Sequence, residues 1–178
     1  MGEIINILIR TMPSRAEKLA NCINSIESQT YRKYRIHTYY DESSNKTPYH
    51  YNLFCNDMKA AINDGWFFFL DDDDMLNSPD ALQQVAQELT NTKQAVICQF
   101  KRGEHKLKPT GGDIRNRVIR SGGVGMPCLI LHHSQKHIAD IPAEDNGDYL
   151  WIKSVCEKLP VKFVEKILVN SPKRNYGQ

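Results

Sequence analysis

Two groups of carboxylates carry the chemistry that this sequence could perform. The first lies in "WFFFLDDDDMLNSPD", residues 66–80, where Asp71, Asp72, Asp73 and Asp74 follow directly on five apolar residues. That apolar run has the length of a buried strand and is too short to cross a membrane. The carboxylates at its end repel one another, since two unit charges 4 Å apart cost about 4 kcal/mol at an effective dielectric near 20. A cation makes such an arrangement favourable, and a hard divalent ion takes carboxylate oxygens. An EF-hand loop is excluded, because it needs Gly at its sixth position and Glu at its twelfth, where this stretch has Leu76 and Leu82. The second group is Glu144, Asp145 and Asp148 in "EDNGDYLW". Acids at the start of an amphipathic segment can cap a helix and compensate its dipole.

The elements that must position these groups alternate in kind. β-Branched residues at 4–9 predict a first strand, broken by Pro13 in "RTMPSR", after which apolar residues at helical spacing predict a helix over 16–29. A second strand is expected over 34–40, ending at Asp41 in the polar turn "DESSNKTP". A helix over 50–64 stops at Gly65, and the aspartates follow the third strand, 66–70. A helix over 80–89, strands over 95–100 and 126–133, a helix over 144–159 and short strands over 161–164 and 167–169 complete the chain. The glycine-rich stretch 101–125 reads as loops. This order predicts an α/β fold: a mainly parallel sheet with helices on both faces, in one domain spanning residues 1–178. Ligands of such sheets bind at the carboxyl ends of strands, so "RTMPSR", "DESSN" and "DDDD" should gather at one edge. Neither a dinucleotide glycine fingerprint nor a P-loop is present.

The composition selects no partner: 178 residues carry a net charge of +2, with 40% hydrophobic and 25% charged residues. Five scattered cysteines (Cys22, Cys55, Cys98, Cys128 and Cys156) argue for reduced core thiols in a cytoplasmic protein, not a disulfide framework. The N-terminal run lacks a basic flank and reads as a strand and not a signal peptide, and no transmembrane segment is expected.

Three motifs, in order, resemble family 2 glycosyltransferases with the GT-A fold. "ILIRTMPSRAEKLANCINSIESQTYRKYRIHTYYDESSN" is similar to that family's opening strand, helix and acid-ended second strand. "FFFLDDDDMLNSPDAL" is similar to its D-x-D segment, and "EDNGDYLWIKSV" to its late acidic motif. The resemblance implies a metal-dependent, inverting transfer of a sugar from a nucleotide-diphosphate sugar, with a UDP-sugar foremost, to an acceptor hydroxyl. It implies that Thr11 and Pro13 border the base, that Asp41 hydrogen-bonds it, and that Arg15, Asn52, Asp71 and Asp72 complete the nucleotide site. Asp73 with Asp71 would ligate Mn²⁺ or Mg²⁺, with Asp72 and Asp74 satisfying the same spacing. The general base would be Asp148, Asp145 or Glu144; an inserted "NG" separates the usual acid pair from "DYLW". Where family members often have Arg before Asn52, this chain has Tyr51, so that diphosphate contact is lost or supplied elsewhere.

The segment 101–120 holds seven basic residues, Lys101, Arg102, Lys106, Lys108, Arg115, Arg117 and Arg120, against Glu104 and Asp113. Either it is a solvated loop, or Arg115, Arg117 and Arg120 bind an anionic acceptor such as a phosphate-linked glycan, a lipid or DNA. Lys173 and Arg174 in the tail could add phosphate contacts. Trp151 packs the last helix or stacks on an acceptor sugar. His132 and His133 invite a metal reading, but neighbours on a strand point to opposite faces. His37, His50, His105 and His137 read as surface residues. The rival reading from another class is a non-catalytic module binding nucleotide-sugar or polyanion.

Overall fold

The computed structural model describes residues 2–41, 49–104 and 106–172; the "DESSNKTP" turn after Asp41, His105 and the tail with Lys173 and Arg174 lie outside them. Strand β1 (Ile5–Thr11) runs parallel to β2 (Tyr34–Tyr40) on one side and to β3 (Trp66–Asp71) on the other. Strand β7 (Leu129–His132) lies antiparallel to β3, and β5 (Ala95–Arg102) antiparallel to β7. Two reversals restore the direction, so β5 points the same way as β3, and β8 (Val161–Ser171) runs parallel to β5. The long strands β1, β2, β3, β5 and β8 therefore share one direction. Among the described residues only β7 and the short β4 (Met75–Leu76) and β6 (Lys106–Lys108) oppose it. The expected α/β architecture, a mainly parallel sheet, stands.

Trp66 to Leu70 are all buried, as are Ile5, Ile7, Leu8 and Ile9. Consecutive burial removes the alternation of a half-wet strand and requires cover on both faces. That cover comes from α1 (Ala16–Glu27), α2 (His50–Ala60), α3 (Ala81–Ala86) and α5 (Gly147–Lys158). Gly65 turns the chain into β3 with φ +65°, and a Cβ there would fall 2.3 Å from Ile4; both facts demand glycine.

Four expectations change. The 101–125 stretch contains β6 and a helix, α4 (Gly111–Asn116), whose Thr110 and Asp113 form a capping box; "TGGD" carried that signal. The two last strands are one, β8, with irregular register against β5 near Gln99. The 126–133 strand opens as a 3-10 turn over Met126–Cys128. The late helix starts at Gly147, leaving Glu144 and Asp145 in the loop before it. All five cysteines are free, four of them buried.

Candidate functional site

Register brings the carboxyl ends of β1, β2 and β3 level. Arg10 pairs across the sheet with Asp71 and Tyr39, and the amide of Asp41 donates to Thr11 O at 2.8 Å. The four aspartates then diverge. Asp72, 3% exposed, accepts the Thr11 hydroxyl at 2.7 Å, and Arg15 reaches its other oxygen at 2.6 Å. Asp73 pairs with the same guanidinium at 2.9 Å, with Lys18 at 4.0 Å. Asp74 turns back, and its carboxylate accepts the Asp71 amide at 3.2 Å. Asp71 is held by Arg10, at 3.6 Å. The repulsion that the sequence poses is thus offset mainly by arginines. Beneath the run, burial and then the charges of Asp74, Asp72, Asp71 and Asp73 push the Cys22 thiol up to about 12.

A cavity of about 540 Å³ opens beside this edge. Its walls include Asp71, Asp74, Asp145 and Asp148, the cations Arg10 and Arg102, and the rings of Tyr49 and Tyr51. The Arg10 guanidinium lies over the Tyr51 ring, 4.8 Å from its centroid, a stacking geometry that guanidinium favours. A cation from β1 thus lies against Tyr51, the residue before Asn52. Two residues at the rim, Tyr49 and Asn146, hold left-handed backbone with φ 64° and 56°; each precedes a helix whose first turn faces the cavity, and such strain concentrates at functional sites.

The late acids also separate. Asp148 is half-buried at the start of α5, its Oδ1 accepting the Tyr149 amide at 2.7 Å. Burial raises its pKa above the ordinary carboxylate value, with Asp71 adding to the rise and backbone bonds and Arg102 opposing it. Asp145 is exposed and accepts from both nitrogens of Asn146, at 3.0 and 3.2 Å. The Glu144 carboxylate does not line the cavity; its carbonyl accepts from Gly147 at 3.1 Å and Asn52 at 3.4 Å.

Other residues singled out in the sequence fall elsewhere. Thr11 is 2% exposed and serves Asp72, while Pro13 is exposed in a 3-10 turn. Arg15 is spent on Asp72 and Asp73, and those three do not line the cavity. Asn52 lines it, but its amide donates to Pro142 O at 2.8 Å, tying α2 to the late loop. Asp41 sits 3.1 Å from His50 Nε2, so His50 is a partner of a candidate site residue and not a plain surface residue; His37 likewise meets Asn6 Oδ1 at 2.8 Å. Trp151, 1% exposed, packs edge-on against Phe69 and has no face free for a sugar. Arg115 pairs with Glu165, Arg120 with Asp113, and Arg117 forms the left-handed cap of α4; none lines the cavity. The His132 and His133 rings do not diverge, with centroids 4.2 Å apart, because the strand ends between them. His132 pairs with Trp66 at the far end of β3, about 17 Å of strand from Asp71, so neither histidine can join the aspartates.

Arg10, Arg102, Tyr49, Tyr51 and Gly125 are among the cavity residues to which the sequence reading gave no site role. Arg10 left a signal as the charged end of an otherwise apolar strand, and Arg102 as part of the basic segment. Among the described residues no group of three or more His, Cys, Asp or Glu could cage a metal ion. Asp71 and Asp74 nevertheless line the cavity, Asp74 being only 1% exposed. One or two carboxylates, with water and phosphate oxygens in the remaining positions, are how Mg²⁺ is held beside a nucleotide; Asp71 fits that donor set.

No family model matches the sequence, and no curated protein matches it. Solved structures do match. Residues 1–349 of TarS from S. aureus, in complex with UDP, superpose with a TM-score of 0.69 at 13% identity, over 95% of this chain and 60% of that one. The same protein with UDP-GlcNAc gives 0.65 at 14%, over 97% and 59%. The mannosyltransferase PcManGT from Pyrobaculum calidifontis, in complex with GDP-Man and Mn²⁺, gives 0.67 at 12%, over 99% and 59%. This chain therefore spans about three fifths of the length of those chains. Among the described residues no helix is long and apolar enough to cross a membrane. The α/β fold of this chain is the GT-A-like fold of TarS and of the mannosyltransferase.

Proposed function

We propose that the chain is a glycosyltransferase domain that moves a sugar from a nucleoside-diphosphate sugar to an acceptor hydroxyl with inversion. One observation carries the reading. A half-buried carboxylate with a raised pKa, Asp148, shares a 540 Å³ cavity with Asp71 and Arg10 at the strand edge where nucleotides bind in such sheets. The structural neighbours were solved with UDP, UDP-GlcNAc or GDP-Man, which supports a nucleotide-sugar donor, UDP-linked first.

In this reading Asp41, beside His50, faces the base, and Arg10 on its Tyr51 platform meets the diphosphate. Asp148 takes the proton of the acceptor hydroxyl as its oxygen bonds to the anomeric carbon. The bond from that carbon to the diphosphate breaks on the opposite side, through an oxocarbenium-like state. A raised pKa makes Asp148 a better proton acceptor than an ordinary carboxylate. Asp71 would hold Mn²⁺ or Mg²⁺, which supplies Lewis-acid neutralisation of the leaving diphosphate. Asp73, committed to Arg15, is replaced in that role. The nucleic-acid alternative draws no support from the cavity, since Arg115 and Arg120 sit away from it in exposed pairs with Glu165 and Asp113.

Calorimetric titration of UDP and GDP, with and without Mn²⁺, tests this on wild type and Asp71→Asn. The expected result is binding that Mn²⁺ strengthens and that Asp71→Asn weakens at least tenfold. Binding of neither nucleotide overturns the reading.

A further inference from the structure

The polar face of α2 ends on a single stretch of main chain. Asn52, Asn56 and Lys59 recur at helical spacing and so share a face. Lys59 is 1% exposed, and its ammonium donates to Lys136 O at 2.8 Å, Ala139 O at 3.0 Å and Asp140 Oδ1 at 2.9 Å. Asn56 makes a closed pair with Ile141, its Nδ2 donating to the carbonyl at 3.0 Å and its Oδ1 accepting the amide at 2.9 Å. Asn52 donates to Pro142 O at 2.8 Å. A buried ammonium is costly unless its donors are used, and here these three acceptors all lie in residues 136–140. That segment, up to α5, belongs to no strand or helix. The α2 side chains give it the restraint that a sheet would give.

The restraint passes on to α5 at two points. Ala139 O, already held by Lys59, also accepts the Trp151 indole N–H at 3.2 Å, and Trp151 lies one turn beyond Asp148. At the helix start, Gly147 approaches α2 so closely that a Cβ would fall 2.3 Å from Asn52 Nδ2 and 2.4 Å from Pro142 O. The inserted "NG" of the sequence is thus the joint that lets the two helices meet. We infer that Asn52, Asn56 and Lys59 are positioning residues, which hold residues 136–147 and so fix where α5 begins and how Asp148 faces the cavity. Trp151 acts with them and not on a sugar. The inference rests on Asp148 being the base.

The test uses Asn56→Ala, Lys59→Met and Trp151→Phe, the last keeping a ring against Phe69 while deleting the indole donor. Three quantities are read: UDP and GDP affinity, release of nucleotide from UDP-GlcNAc and GDP-Man with water as acceptor, and hydrogen exchange over residues 136–150. Turnover should fall at least tenfold with nucleotide affinity held within twofold, while the Ile141 and Leu150 amides exchange faster. Should Lys59→Met not fold, Asn56→Ala and Trp151→Phe carry the test. Unchanged turnover in variants whose amides exchange faster overturns the positioning role alone. Parallel loss of turnover and nucleotide affinity also overturns it, as general unfolding. A wild type that binds neither nucleotide overturns the glycosyltransferase reading and the inference with it.

Discussion

Asp71 and Asp74 after β3, and Asp145 and Asp148 around the start of α5, share a cavity but not an environment. On the β3 side each charge has an answer: Arg15 for Asp72 and Asp73, Arg10 for Asp71, a backbone amide for Asp74. On the α5 side Asp148 is desolvated, and burial outweighs the help it draws from Arg102 and the backbone. The arginine pairs hold the first set of carboxylates in place. A desolvated one is held ready to take a proton. The contrast shows that carboxylate count says less about chemistry than which acids the fold leaves near cations.

Asp148→Asn should break that contrast most deeply. Turnover should fall by about 10²–10⁴, with UDP or GDP affinity within twofold by calorimetry. The same variant should be more stable than wild type at neutral pH. A carboxyl whose folded pKa is raised binds more protons folded than unfolded, so it costs stability as pH rises from its unfolded value, about 3.9, through the folded one. The gain should therefore vanish in melts below that window. Wild-type turnover should likewise lose its acid limb above the usual carboxylate range; an acid limb near pH 4 would remove Asp148 from the role.

Arg15→Met probes the paired side. Asp72, with 4% of its side chain exposed, would keep a buried charge without its guanidinium. Breaking a fully buried pair costs about 3–5 kcal/mol, and the 30% exposure of Arg15 lowers this to about 2 kcal/mol. A drop in Tm of about 4–8 °C is expected, and an unchanged Tm would mean that the run is held by something else. Gly147→Ala sharpens the comparison at the joint. Overpacking should cost about 1–3 kcal/mol, visible in denaturant melts, and should lower turnover without touching Asp148. The smallest effect belongs to the basic segment. Neutralising Arg115 and Arg120 removes exposed pairs worth about 0–1 kcal/mol each. Turnover should change less than twofold, and a larger rise in acceptor KM would restore the anionic-acceptor role to that surface.

Much of the fold was legible. The unbroken apolar run Trp66 to Leu70 can only be a strand covered on both faces, and the alternation of strand and helix signals leaves little but a parallel sheet. Thr110 and Asp113 announced α4 through their spacing, and the glycines around them hid it. The single β8 was not legible, because Glu165 and Lys166 interrupt its apolar pattern and both point to solvent at a bulge against β5. At the site, the sequence marked the acids but not their sorting.

The sequence by itself determined the sheet, the strand ends where charge collects, and both groups of acids, because hydrophobic period and local charge are properties of neighbouring residues. Only the tertiary structure decided which carboxylate meets a cation. Arg15 lies more than fifty positions from Asp72, Arg10 reaches Tyr51 from another element, and Lys59 reaches Ala139 across eighty residues. Charge and burial act through space over a few ångströms, and chain order carries no record of those distances until the sheet and its helices have closed.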